Sequence, residues 1–134
     1  MYPIGGQANR LTGANGPQNS TEYFDVSANE WKYGPEMITP VYSHAMVTIS
    51  NTEAIIVAGT TGAQFQSVVQ LLDTSGSGSV TAYPGGPLNA MRIEHDAAKV
   101  TLSNGNEVVL VLEGRLFQGN FVRGNIEVST LPAK

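Results

Sequence analysis

A chain that repeats itself can only fold as a stack or ring of like units, and this chain repeats itself. The segment from Trp31 to Gly59 reads WKYGPEMITPVYSHAMVTISNTEAIIVAG. An aromatic residue leads through a Pro-containing turn to a His, an apolar run, a short polar turn and a second apolar run ending in Gly. The same order returns from Tyr83 to Gly114 as YPGGPLNAMRIEHDAAKVTLSNGNEVVLVLEG. Gly6, Gly59 and Gly114 close equivalent strands, His44 and His95 open equivalent strands, and Asp25 and Asp73 end equivalent strands. Each step spans roughly fifty residues.

Short β-favouring runs punctuated by Gly, Pro, Asn and Ser predict strands at 1–6, 21–26, 30–33, 43–49, 53–58, 68–73, 80–83, 96–102, 107–112 and 125–129. Ser50-Asn51-Thr52 and Ser103-Asn104-Gly105-Asn106 are the predicted hairpin turns, the second carrying the strong Asn-Gly signal. The run Ala54–Ala58 is continuous rather than alternating, which predicts a strand covered on both faces. No segment has a helical period. Four short strands in a unit of roughly fifty residues make a propeller blade, so the expected fold is an all-β array of four-stranded antiparallel sheets.

Composition narrows the function. At 134 residues there is room for one domain with its own core, and only 13% of residues are charged. A net charge of -4 leaves no basic stripe for a phosphate backbone, so no nucleic-acid partner is expected. There is no Cys, hence no disulfide, thiolate nucleophile or Cys-held zinc. No apolar run reaches the ~18 residues of a membrane helix, and no signal peptide is visible at MYPIGGQANRL, so no membrane partner is expected.

The motifs resemble the kelch repeat family: a di-glycine after an apolar strand, a Tyr-Asp pair, a Trp, then a Pro-rich turn with Arg-x-x-His. Gly5-Gly6, Phe24-Asp25, Trp31, Pro35-Glu36-Met37 and His44 supply it once, with Val41 where Arg is usual. Ala58-Gly59, Leu72-Asp73, Tyr83 in the approximate place of Trp, and Arg92-x-x-His95 supply it again, and Glu113-Gly114 opens a third unit. The resemblance implies kelch-type blades at 1–33 (partial), 34–83 (full) and 84–134 (partial), about ten strands or two and a half blades. Trp31 is expected to fill the gap between adjacent sheets. Propellers close with four to eight blades. The further blades must therefore come from a longer chain or from association of copies.

Few residues point to chemistry. His44 and His95 are expected to be structural, displaced by a whole blade from each other, and Glu94 and Asp96 lie across the strand from His95. Asp25 and Asp73 could be paired acids only if close together; their place after a strand marks them as turn formers. Gly76-Ser77-Gly78-Ser79 lacks the Lys of a phosphate loop. Asn19-Ser20-Thr21 is a glycosylation sequon. No catalytic, metal or cofactor-binding residue is assigned.

In kelch-like propellers the loop after the second strand and the loop between blades emerge on one face, commonly used for binding. Here those loops are 7–20, 60–67 and 115–124, with 34–43 and 84–94. They gather Arg10, Tyr42, Gln64, Gln66, Arg92, Arg115, Phe117, Asn120, Phe121 and Arg123. Arg and aromatics on a rigid scaffold suit binding hot spots. The expected function is a non-enzymatic module binding a protein, peptide or glycan. The alternatives are a segment of a galactose-oxidase- or sialidase-like enzyme with its active residues elsewhere, and a self-associating structural protein.

Overall fold

The computed structural model describes residues 18–116 and 126–132, which form eleven strands and no helix. Strands β1 (Glu22–Asp25) and β2 (Glu30–Tyr33) form an antiparallel pair. Strands β3 (Ala45–Thr48), β4 (Glu53–Thr60), β5 (Phe65–Asp73) and β6 (Ser79–Ala82) form a four-stranded antiparallel meander in sequence order. Strands β8 (Asp96–Thr101), β9 (Glu107–Leu112) and β11 (Ile126–Thr130) form a three-stranded sheet ordered β11-β9-β8. A two-residue pair joins β7 (Arg92–Ile93) to β10 (Arg115–Leu116). The expected all-β blades are therefore present.

The core lies between the last two large sheets. Ile55, Val57 and Val69 of the four-stranded sheet meet Val109 and Val111 of the next, with Tyr83 and Leu131 completing the cluster. A second cluster of Met37, Val41, Ile56 and Leu72 covers the opposite face of the four-stranded sheet. Strand β4 is buried along nearly its whole length, as its unbroken apolar run predicts.

Three expectations are corrected. Trp31 does not fill a gap between sheets: it is 56% exposed and packs edge to face on Phe24, centroids 5.6 Å apart at 64°. Pairing explains why. Phe24 opposes Trp31 as Leu72 opposes Val80, so Val80 and not Tyr83 is the register equivalent of Trp31. The inter-sheet gap is filled by Tyr83 instead, whose hydroxyl reaches Ser129 Oγ at 3.0 Å. The expected loop 60–67 shrinks to a turn, because β5 begins at Phe65 rather than 68 and Thr61 N donates to Gln64 O. Finally, β7 and β10 occupy stretches read as connection and loop, since strands of two residues leave no periodic trace.

The candidate site at the loop edge of the blades

The same local device builds the edge in both repeats. Near the end of β4 stand two residues of positive φ, Ala58 (54°) and Gly59 (103°), and β9 is followed by Glu113 (52°) and Gly114 (99°). The register of β4 against β5 shifts between Val57 and Gly59, so the pair acts as a bulge that turns the chain. Glycine is required at the second position. A Cβ on Gly59 would lie 2.7 Å from the Tyr42 carbonyl oxygen, and one on Gly114 2.6 Å from that of Ile93.

Beyond the turn, the chain pairs with the connector that enters its own sheet. Tyr42 and Thr60 exchange backbone hydrogen bonds of 3.0 and 2.9 Å, and Ile93 pairs with Arg115 in the equivalent place. The loop after the second strand and the connector between sheets are thus brought to one edge in both repeats. Tyr42 is half-buried there and Gln64 is exposed on the tight turn, where Thr60 Oγ donates to the Gln64 carbonyl at 2.8 Å. Arg115 stands beside Glu94, with Nη1 3.6 Å from Oε2. Gln66 lies within β5, opposite Gly59, rather than in a loop. Arg10, Phe117, Asn120, Phe121 and Arg123 lie outside the described residues.

Arg92 is not a surface residue. Its side chain is fully buried, and Nη2 reaches Glu127 Oε2 at 2.6 Å while Nη1 donates to the Glu113 carbonyl at 2.8 Å. Glu127 also accepts the backbone N–H groups of Asn89 and Ala90. In the preceding sheet the buried Gln70 does the same work: Oε1 accepts Ile38 N at 2.9 Å and Thr39 N at 3.0 Å, and Nε2 donates to Thr39 O at 2.9 Å. Gln70 opposes Ile56 and Glu127 opposes Val111, matching positions in the two sheets. Where the connector carries apolar Val41 the clamp is neutral Gln70. Where it carries Arg92 the clamp is charged Glu127. Sequence reading missed both clamps, although the Val-for-Arg departure at 41 was the available signal.

The two histidines precede equivalent strands, β3 and β8, of neighbouring sheets. Glu94 N donates to Ser43 O at 3.2 Å, tying the segments that open β3 and β8, and the nearby His44 adds a minor lowering to the proton affinity of His95. His95 Nε2 lies 2.8 Å from the Val57 carbonyl of the neighbouring sheet. Burial pushes both imidazoles below their ordinary range, partly opposed by backbone acceptors at Val57 and Val41. Among the described residues, no group of three or more His, Asp or Glu is placed to hold a metal ion.

A group held below its unfolded pKa near 6.5 contributes fully above that value and loses its contribution as pH falls. The chain is therefore expected to denature at lower urea at pH 5 than at pH 7, and H44Q/H95Q to narrow the difference. Equal midpoints at the two pH values would contradict this. Asp25 and Asp73 act in a lower window. Hydrogen bonds from Lys32, Ser27 and Ala28 to Asp25, and from Ser75 to Asp73, hold both carboxyls below the usual range. Asp25 Oδ1 accepts Ser27 N and Ala28 N, and Asp73 Oδ1 accepts Ser75 N, so both close turns.

A cleft of about 400 Å³ opens between the last two large sheets, lined by Val57, Tyr83, Leu88, Val111, Glu127 and Ser129. Of its polar side chains, Glu127 is committed to Arg92 and the 89–90 amides, and Ser129 to Tyr83. Asn19 of the sequon donates from Nδ2 to Glu36 at 3.2 Å, and Thr21 is buried with its hydroxyl on the Pro35 carbonyl.

A four-stranded and a three-stranded antiparallel sheet that share a left-handed turn and a clamped connector define the class as propeller-blade repeats. The family model described as the Kelch motif matches residues 1–38, which supports a kelch-repeat assignment. Comparison with curated proteins gives no match.

Proposed function

We propose that this chain is a kelch-type interaction module, with blades at 1–33, 34–83 and 84–134, that takes a protein or peptide partner on its loop edge. One observation carries the reading. Both repeats pair the connector with the residue after the left-handed turn, Tyr42 with Thr60 and Ile93 with Arg115, so the connector and the chain beyond the turn share an edge. That edge presents Tyr42, Gln64, Glu94 and Arg115, a mixture of aromatic and charged groups suited to a polar partner surface. Arg10, Phe117, Asn120 and Arg123 belong to the same loops by sequence. A binding role, not catalysis, fits an edge whose buried polar groups serve the backbone.

A photo-crosslinking residue placed at Gln64 is expected to capture a discrete partner in extract of the native host, and Arg115→Glu to abolish the capture. The same probe at Asn51 or Asn104, on turns between the first two strands of each sheet, should capture nothing. Capture at both ends, or capture indifferent to Arg115, overturns the proposal.

A further inference from the structure

Side chains alternate across a strand, so each sheet has two faces. In the last large sheet, Val109 and Val111 face the four-stranded sheet and join the core between them. The opposite face carries Val100, Leu110, Leu112, Ile126 and Val128. Pairing of Leu112 with Ile126 and of Leu110 with Val128 makes it one continuous apolar surface. Ile126 is 54% exposed and Val128 60%. At the other end of the array the β1–β2 pair shows Phe24 and the edge-to-face Trp31 to solvent. Large contiguous apolar surface of this kind marks an interaction site, and aromatics are enriched in such sites.

The registers identify what these faces are. Leu110, Leu112, Ile126 and Val128 occupy the places of Ile55, Val57, Val69 and Leu71, the face of the four-stranded sheet already covered inside the chain. Phe24 and Trp31 occupy the places of Leu72 and Val80, on the same side of the sheet as Ile56. Val111 is the equivalent of Ile56, and it is the residue type that packs onto Ile55 and Val57. The Leu110–Val128 face is therefore one half of an interface the chain already makes once, and the Phe24–Trp31 face lies on the side of the sheet that supplies the other half.

We propose that a second copy of this chain docks its Phe24–Trp31 face on the Leu110–Val128 face, repeating the step between the last two large sheets. The contact is head to tail, so it uses different surfaces on the two copies and can be passed on from copy to copy. It lies on sheet faces and is independent of the loop-edge reading.

Sedimentation velocity on the full chain at tens of micromolar tests this. The wild type is expected to run heavier than a monomer. Trp31→Lys and Val128→Lys, both at exposed positions, should each run as folded monomers by circular dichroism. Mixed in equal amounts they should give a dimer and nothing larger, because each variant keeps one of the two faces intact. Arg115→Glu should leave association unchanged, separating this outcome from failure of the loop-edge proposal. A wild-type monomer overturns the proposal and assigns the open faces to blades of another kind. Variants that still associate as the wild type does, or a mixture that stays monomeric, overturn it equally.

Discussion

Glu127→Gln alone is expected to destabilise the chain by about 3–5 kcal/mol, because it leaves a fully buried guanidinium without its counter-charge. Marginal stability of a small domain makes that loss close to unfolding. With the urea dependence usual for this size the midpoint should fall by about 2 M. The informative variant is R92V/E127Q, which copies the Val41 and Gln70 arrangement of the preceding sheet. Gln can still accept from the 89–90 amides, and the buried charge is gone, so most of the loss should be recovered. The remainder is the space left by the smaller Val. The strong coupling between the two positions would appear as non-additivity in the cycle. A double variant as unstable as E127Q would show that Glu127 does not act through Arg92.

Gly59→Ala and Gly114→Ala are expected to cost about 2–3 kcal/mol each, more than the same change at other positive-φ glycines. Both residues sit near φ +100°, and a Cβ would press on a carbonyl oxygen of the connector at 2.7 Å or less. Gly105, at φ +87° on the β8–β9 turn, has nothing within 4 Å of an added Cβ. Gly105→Ala should therefore carry only the conformational cost, about 1 kcal/mol. Thermal or urea denaturation of the three variants gives the comparison. Equal losses at 59 and 105 would mean the close approach to Tyr42 contributes nothing.

Much of the fold was legible because repetition multiplies weak signals. Gly59, Gly114, His44 and His95 recur in order, and the order of the strands and their hairpins follows from them. Asp25 and Asp73 were readable as turn formers from their position alone. What escaped was set by contacts distant in sequence. Gln70 and Glu127 look like ordinary strand polar residues, and only folding brings them to amides about thirty to forty residues upstream. Arg92 looked like a loop cation for the same reason, since its burial depends on Glu127. Matching residue type sets Tyr83 against Trp31, whereas strand register makes Val80 its equivalent. The loop edge was legible as a position, through the family resemblance, but its pairing of Tyr42 with Thr60 was not.

The bond from His95 to the Val57 carbonyl, with Glu94 N on Ser43 O and Lys99 Nζ on Ile49 O, runs between sheets rather than within one. In a linear array, stability divides into what each unit holds by itself and what it holds through its neighbour. Here the backbone of one unit completes the polar contacts of the next, in parallel with the shared apolar cluster. Melting should accordingly proceed as one cooperative event across both sheets. A cut in the connector between them would leave neither half able to stand alone.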